Sequence, residues 1–260
     1  MAERIDLSRA DDPRDVVHRA VACLAQGGVV GLATESAYGI AACGLQPSAV
    51  GRLRRMDRPG GTDPACPGRS PTLLLRGPGE VEDWAVLPSE AGRRLARRAW
   101  PGPVTLVLPV GERSLSGRLP DEVRPFLVPD GLISVRAPSD RMAREILRLM
   151  PGPLLQADAP ATPGGRAATS ADDLAELEDL DMILDVGPTQ REGPATVVAF
   201  EADRWSIARP GVVPERAIAQ MAGTILLFVC TGNTCRSPMA EALCKALLAQ
   251  RIGTVTVSAQ

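Results

Sequence analysis

Two stretches of the sequence combine residue types that could do chemistry, and the first spans residues 34–39. It begins with Thr34-Glu35-Ser36, in which two hydroxyl groups flank a carboxylate. The apolar run that precedes it, residues 29–32, predicts a buried strand. Polar groups at the end of such a strand lie at the rim of a sheet, where open α/β folds bind ligands. The stretch therefore predicts a ligand site, although an ordinary turn between a strand and a helix would have the same composition.

The second stretch separates Cys230 from Arg236 by a short polar loop. An apolar run over 224–229 predicts a strand that leads directly into the cysteine, and Pro238 suits the first turn of a helix. Backbone N–H groups of the loop and the helix N-terminus would converge on one point, which predicts a phosphate site. Cys230 would be the nucleophile there, and Arg236 would bind the phosphoryl oxygens. The other residues of this predicted phosphate loop are Thr231, Gly232, Asn233, Thr234, Cys235 and Ser237.

The charge of the chain narrows the classes of partner. The formal net charge is −2, which argues against a generally basic nucleic-acid binder but leaves room for one basic cleft. Of the 29 lysine and arginine residues, Lys245 is the only lysine. His18 is the only histidine, so a metal site based on histidine or a Ser-His-Asp triad is not expected. We therefore predict no metal-binding residues.

The remaining composition predicts a cytoplasmic protein. The first residues are charged and no apolar run follows them, so no signal peptide is expected. No apolar stretch approaches the ~20 residues of a membrane span, so no membrane partner is expected. The six cysteines lack the paired spacing of zinc sites and are expected to be reduced thiols.

Elements that could position these residues alternate between helices and strands. Several strands are separated by turns alone, which predicts an α/β fold with a mixed sheet. Residues 57–71 are rich in glycine and proline and predict a loop, whereas the arginines over 93–98 predict a solvated helix face. Helices are expected over 13–25, 47–56, 89–99, 140–150 and 171–177, and strands over 29–33, 73–75, 104–108, 132–135, 182–185 and 196–200.

The composition changes at Ala222-Gly223, which predicts a domain boundary. The sequence indicates one domain over 1–221 and a second segment over 222–260. The second segment predicts a strand over 224–229, a helix over 238–250 and a strand over 254–258. These elements form an incomplete βαβ unit, too short to fold alone.

Six motifs, in order, resemble the threonylcarbamoyl-AMP synthases of the Sua5/YrdC type. Each motif is weak alone, but together they cover residues 12–221. The motifs are Thr34-Glu35-Ser36-Ala37-Tyr38-Gly39, Arg58-Pro59, the segment from Trp100 to Leu108, Val135-Arg136-Ala137-Pro138, Ala195-Thr196-Val197-Val198 and the segment from Trp205 to Gly211.

The resemblance implies a twisted mixed sheet with helices around a positive cleft. It also implies a nucleotidyltransferase, which condenses L-threonine, bicarbonate and ATP to threonylcarbamoyl-AMP and pyrophosphate, with Mg²⁺ beside the phosphates. The product serves tRNA modification, so tRNA, double-stranded RNA and the proteins of that modification are expected partners. The substrate-binding residues implied are Thr34, Tyr38, Arg58, Thr105, Arg136, Thr196 and Arg209.

The sequence departs from the family at two positions. The family's phosphate-binding Lys-x-Arg falls on Met56-Asp57-Arg58, and its Ser-x-Asn falls on Asp158-Ala159-Pro160. A carboxylate at residue 158 would repel phosphate rather than donate a hydrogen bond to it. An alternative is therefore a catalytically degenerate module that binds nucleotide or double-stranded RNA. The arginines that could restore the lost charge are Arg52, Arg54, Arg55 and Arg69.

The Cys230 loop resembles the low-molecular-weight protein tyrosine phosphatases. The loop residues Thr-Gly-Asn-Thr look most like those of the protein-arginine phosphatase branch. Cys235 would then be a resolving thiol under oxidation. The resemblance covers only the family's first strand, loop and helix and part of its second strand. The aspartate that serves the family as general acid has no counterpart in this sequence, so we expect no useful phosphatase activity from it. A phosphatase would require a longer chain, in which residues 222–260 are the truncated start of a fused second enzyme.

Overall fold

The computed structural model describes residues 2–56, 71–160, 166–191, 193–232 and 235–252. The chain divides into two compact units, Met1–Ala222 and Gly223–Gln260. In the described residues of the first unit, ten strands form one mixed sheet in the order β1-β8-β2-β3-β7-β4-β6-β5-β9-β10. The predicted mixed α/β fold is confirmed. The strands are β1 Glu3–Asp6, β2 Val29–Ala33, β3 Tyr38–Cys43, β4 Thr72–Leu74, β5 Val104–Pro109, β6 Leu132–Arg136, β7 Leu154–Asp158, β8 Met182–Asp185, β9 Thr196–Glu201 and β10 Arg204–Arg209.

The helices begin at residues that satisfy free backbone N–H groups. Asp12, Ser89 and Asp140 each accept a hydrogen bond from the first turn of the helix that follows, which favours helix initiation at these positions. The helices of the first unit are α1 Pro13–Ala25, α2 Pro47–Met56, α3 Val81–Trp84, α4 Glu90–Ala99, α5 Arg124–Leu127, α6 Arg141–Leu149 and α7 Glu215–Ala222.

Both faces of the sheet are covered by apolar clusters. One cluster includes Leu53 of α2, Leu106 of β5 and Trp100, which precedes β5; all three are at most 4% exposed. The other includes Leu24 of α1 and Ile146 of α6, each 0% exposed. Full burial of such a side chain contributes about 1.5–3 kcal/mol, so the two clusters hold the strands that carry the polar residues described below.

The strand Tyr38–Cys43 is not among the predicted strands. Glycine, alanine and cysteine dominate this strand, and glycine and alanine are depleted in strands. β3 is nevertheless held on both sides, since it pairs antiparallel with β2 and with β7. The helix predicted over 171–177 is also shorter in the structure, a single 3-10 turn over Ala171–Leu174.

The second unit contains α8, Arg236–Ile252, which begins two residues before the predicted start. The predicted strand over 224–229 is not formed. Strand backbone needs a neighbouring strand to satisfy its N–H and C=O groups, and the described part of this unit offers none. The strand predicted over 254–258 lies outside the described residues. None of the helices in the described ranges is long and apolar enough to cross a membrane.

Candidate functional site

Polar side chains from three strands and one loop meet on the first unit. We call Glu35, Ser36, Arg136, Gln156, Asp158 and Arg209 the polar cluster. Arg136, Asp158 and Arg209 are the last residues of β6, β7 and β10, and Glu35 and Ser36 follow β2. The electrostatic neighbours of Arg136 are Glu35, Asp158 and Arg209, so the sheet brings these charges together from distant parts of the sequence.

The loop after β2 is shaped by Thr34. Its backbone N–H and its Oγ1 both donate to the carbonyl oxygen of Ala37, each at 2.9 Å. This pair of hydrogen bonds closes a tight turn that presents Glu35 and Ser36. The hydroxyl of Thr34 is therefore used within the fold, and the geometry favours a positioning role over the predicted contact with a substrate.

Glu35 is fixed by the N-terminus of α6. Its Oε2 accepts hydrogen bonds from the backbone N–H groups of Ser139, at 2.9 Å, and Asp140, at 3.3 Å. The positive end of the helix dipole favours a carboxylate there. Asp140 itself caps α6 through Ala143 N–H at 2.9 Å, and burial raises the pKa of its carboxyl. The second oxygen of Glu35, Oε1, is buried and has no partner.

Arg136 is a buried cation, 6% exposed. Its Nη2 donates to Oε1 of Gln156 at 2.7 Å, and Nε2 of Gln156 donates to the carbonyl oxygen of Leu32 at 3.2 Å. Burial lowers the pKa of the guanidinium, while the negative charges of Glu35 and Asp158 oppose that shift. Gln156 therefore holds Arg136 in place and links it to β2.

Arg209 forms an ion pair with Asp158. Its Nη1 donates to Oδ2 of Asp158, and its Nε is buried without a partner. The Arg209 side chain is 26% exposed and the Asp158 side chain 61% exposed, so the pair lies at the edge between the cluster and solvent. The carboxylate that the sequence predicts to repel phosphate thus neutralises one of the two arginines.

The polar cluster contains every buried side-chain polar atom that lacks a hydrogen-bond partner in the described ranges. These atoms are Glu35 Oε1, Ser36 Oγ, Arg136 Nε and Arg209 Nε. Leaving such an atom unsatisfied costs about 1–3 kcal/mol, and their concentration in one place calls for an explanation. These atoms lie on or beside the ends of three strands, which marks the polar cluster as the candidate binding site.

Three other predicted substrate-binding residues are placed in the core. The hydroxyl of Tyr38 donates to the carbonyl oxygen of Gly187 at 2.7 Å and accepts from Val186 N–H at 3.1 Å. Oγ1 of Thr196 exchanges hydrogen bonds with the backbone of Val213, at 2.8 and 3.0 Å. Thr105 is buried on β5, 3% exposed. The geometry therefore favours support of the sheet by Tyr38 and Thr196, rather than direct contact with a substrate.

Each arginine of α2 that could restore the lost charge has another partner. Arg52 pairs with Asp181 at 2.8 Å and Arg55 with Asp179 at 3.7 Å. The guanidinium of Arg54 lies 5.7 Å from the centre of the Phe126 ring, a cation–π distance. Met56, at the lysine position, is 7% exposed and belongs to the apolar core.

Two further predicted arginines of the phosphate site, Arg58 and Arg69, lie outside the described residues. The arginines of α4 were predicted to be solvated; Arg98 is exposed, whereas Arg94 is half-buried. Arg94 Nε donates to the carbonyl oxygen of Ala222 at 2.8 Å, and Arg98 Nη1 to that of Met221 at 3.0 Å. These cations cap the C-terminus of α7, where they interact favourably with the negative end of the helix dipole.

Sequence reasoning missed Gln156 altogether. It placed a ligand site at the stretch 34–39 but did not name Glu35 or Ser36 among the substrate-binding residues. The signal for Gln156 was present, since it is a single amide within the otherwise apolar start of β7. Buried polar residues are the informative exceptions in such a strand. Gly39 on the neighbouring strand makes room for it, because a Cβ there would lie 2.6 Å from Nε2 of Gln156.

A cavity of about 500 Å³ lies apart from the polar cluster. Its lining includes Leu45, Arg76, Trp84, Arg118 and Pro153, and no predicted site residue contributes to it. Within the described ranges, no group of three metal-ligating side chains is close enough to hold a metal ion.

In the second unit, the two ends of the predicted phosphate loop approach each other. Sγ of Cys230 and Oγ of Ser237 are 2.9 Å apart, and Ser237 lies in the first turn of α8. Arg236 and Cys235 are exposed. Thr231 and Gly232 follow Cys230, whereas Asn233 and Thr234 lie outside the described residues, so the phosphate loop stays a prediction.

Two family models match the chain. The model of Sua5, YciO and YrdC proteins, described as telomere recombination, matches residues 22–211. The model described as low molecular weight phosphotyrosine protein phosphatase matches residues 225–259. The first match covers most of the chain and contains the whole polar cluster. The second is short and supports the fusion only weakly.

Several relatives carry the name threonylcarbamoyl-AMP synthase. The protein of that name from Pyrococcus abyssi is 29% identical over 205 residues, which are 77% of this chain and 55% of the relative. This chain therefore spans about half the length of that relative. A putative threonylcarbamoyl-AMP synthase from Mycobacterium tuberculosis is 26% identical over 229 residues, 86% of this chain and 96% of the relative.

Solved structures share the fold. A structure of P. abyssi Sua5 has a TM-score of 0.68 at 26% identity, covering 86% of this chain and 65% of that one. A second, of P. abyssi Sua5 complexed with L-threonine, has a TM-score of 0.67 at 24% identity, covering 86% and 61%. Escherichia coli YciO has a TM-score of 0.66 at 22% identity, covering 84% and 98%.

Proposed function

We propose, since this chain belongs to the family of Sua5, YciO and YrdC proteins, that its first unit is a threonylcarbamoyl-AMP synthase. In this reaction the amine nitrogen of L-threonine bonds to the carbon of bicarbonate and water leaves, which gives a carbamate. A carbamate oxygen then bonds to the α-phosphorus of ATP, and pyrophosphate leaves. The names of the relatives support this activity over the alternative of a degenerate nucleotide- or RNA-binding module.

The observation that carries the proposal is the set of unpartnered buried atoms in the polar cluster. Arg136 Nε and Arg209 Nε are donors on cations, which suit the carboxylate of threonine and the phosphates of ATP. Glu35 Oε1 is an acceptor, which suits an ammonium or hydroxyl group. Ser36 Oγ, the fourth atom, can donate or accept. The set suits the mixture of donors and acceptors that an amino acid and a nucleotide present.

The residues of the cluster serve this reaction by position and charge. Arg209 would stabilise the negative charge that moves to the leaving pyrophosphate, while Arg136 and Glu35 orient the smaller substrate. Mg²⁺ would enter with the phosphates of ATP, because the described residues provide no preformed metal cluster. Arg58 stays a proposed phosphate contact, and tRNA with its modification proteins stay proposed partners in the cytoplasm.

The proposal is tested by the product. Purified protein is incubated with ATP, Mg²⁺, L-threonine and bicarbonate, and threonylcarbamoyl-AMP is measured by mass spectrometry. Arg209→Ala is expected to lower product formation at least about 100-fold, the usual scale for removing a charged group that stabilises the transition state. Arg148→Ala is the matched control, since Arg148 pairs with Glu145 on the exposed side of α6. A wild-type protein that binds substrates without forming product would contradict the proposal.

A further inference from the structure

We infer that Asp158 sets the charge selectivity of the polar cluster, by neutralising Arg209 until a strongly anionic ligand displaces it. The inference rests on the proposed function, because it concerns how that site admits ATP. It assigns to Asp158 the role of weakening the binding of an anionic ligand. Removing the carboxylate of Asp158 therefore strengthens the binding of a polyphosphate instead of weakening it.

The two partners of the ion pair are held unequally. Arg209 is mostly covered, at 26% exposed, and its Nε is enclosed by the protein. Asp158 is 61% exposed, and its Oδ2 accepts from Nη1 of Arg209. A largely exposed carboxylate recovers its hydration when it leaves a cation, so breaking such a pair costs little. Asp158 is therefore the exchangeable partner, and Arg209 keeps its place.

The charges of the cluster balance without a ligand. Arg136 and Arg209 repel each other, and Glu35 and Asp158 offset them. Glu35 is not exchangeable, because two backbone N–H groups at the start of α6 hold it. Asp158 is consequently the one counter-ion of this set that a ligand can displace.

Selectivity follows from competition between anions. A ligand must bring more negative charge to Arg209 than the single carboxylate that it displaces. A triphosphate meets this condition with several charged oxygens, whereas a monophosphate offers little advantage over Asp158. Asp158 therefore lowers the affinity for ATP, which must displace it from Arg209, more than the affinity for AMP.

Asp158→Asn tests the inference, since it removes the charge and keeps the shape. Binding of ATP and of AMP to the full chain is measured by isothermal titration calorimetry. We expect the dissociation constant of ATP to fall about tenfold, the effect of one unfavourable charge contact, and that of AMP to fall less than about threefold. Glu90→Gln is the matched control, because it removes one exposed carboxylate paired with Arg93 on α4. It is expected to leave both constants unchanged.

A double-variant cycle separates this role from a general change in charge. In an Arg209→Gln background, Asp158→Asn is expected to have no effect on ATP binding, because its partner is gone. A tenfold gain that persists there, an unchanged ATP constant in Asp158→Asn, or weaker binding in that variant would each overturn the inference. If the wild type binds ATP but Asp158→Asn changes nothing, only this inference fails. If no variant binds ATP, the proposed function fails as well.

Discussion

The candidate sites of the two units differ in the scaffold beneath them. In the first unit, β6 and β7 each pair with a strand on both sides, and they carry Arg136, Gln156 and Asp158. In the second unit, the residues before Cys230 form no strand, and Leu227 and Val229 are 82% and 80% exposed. A polar site needs side chains held by packing and by hydrogen bonds to neighbours. The comparison shows that a sharp local motif is not by itself a supported site.

The largest expected effect falls on the buried charge of the first unit. Arg136→Met should lower the free energy of unfolding by about 3–5 kcal/mol, because it leaves Glu35 buried without the neighbouring positive charge of Arg136. Gln156 Oε1 would lose its donor as well. Urea unfolding followed by tryptophan fluorescence measures this, since Trp84, Trp100 and Trp205 all lie in the first unit.

Adding Glu35→Gln to Arg136→Met should recover part of the lost stability, because the double variant no longer buries an uncompensated charge. Arg148→Met, on the exposed side of α6, should change the free energy of unfolding by less than about 0.5 kcal/mol. If Arg136→Met unfolds at the wild-type urea concentration, then water screens the cluster and the contrast between the two units disappears.

A smaller effect is expected at Tyr38, which ties β3 to the end of β8. Tyr38→Phe should cost about 1–3 kcal/mol, because the carbonyl of Gly187 and the N–H of Val186 lose their partner. Burial raises the pKa of Tyr38 to about 12 from an ordinary 10.0. Between these values the unfolded chain releases the phenol proton and the folded chain keeps it, so stability falls as pH rises from about 10 to about 12.

Tyr38 is the only tyrosine of the chain, so absorbance near 295 nm reports its ionisation alone. The wild-type midpoint should lie near pH 12 in the folded protein and near pH 10 in urea. The loss of stability over that interval should be smaller in Tyr38→Phe. A folded midpoint near pH 10 would show that Tyr38 is open to solvent, and that the rigidity assigned to the first unit is overstated.

The fold was predictable from the sequence to different degrees along the chain. Strands such as Val104–Pro109 and helices such as Pro13–Ala25 carry apolar periodicity and caps, and these local signals predicted them. Tyr38–Cys43 was missed because its small residues favour no strand locally, and its pairing with β2 and β7 decides the outcome. Residues 224–229 are the opposite case, because their apolar run predicts a strand but no neighbouring strand pairs with it in the described part of the second unit.

The site was predictable by residue type but not by partner. The family resemblance implied Arg136 and Arg209, and both belong to the cluster, at the ends of β6 and β10. Which carboxylate faces which arginine depends on pairs far apart in sequence, such as Arg209 with Asp158 and Arg136 with Glu35. No periodicity reports such contacts, so the neutral balance of the cluster emerged only from the three-dimensional arrangement.

The smallest expected effect tests whether the apolar residues of the second unit are packed. Leu243 on α8 is 59% exposed, whereas Leu53 on α2 is 0% exposed. Alanine is a good helix former at both positions, so a difference between the two substitutions reports packing alone. Leu53→Ala should cost about 2–5 kcal/mol, and Leu243→Ala less than about 0.5 kcal/mol.

Hydrogen–deuterium exchange of the peptides that cover each helix reads both outcomes in the full chain. Protection of α2 amides should fall in Leu53→Ala, while protection of α8 amides should stay within error in Leu243→Ala. Met239, Leu243 and Leu247 recur every fourth residue on one side of α8, each about 60% exposed. If Leu243→Ala removes the protection of α8, that side of the helix is covered in solution, and the second unit has a packed core like the first.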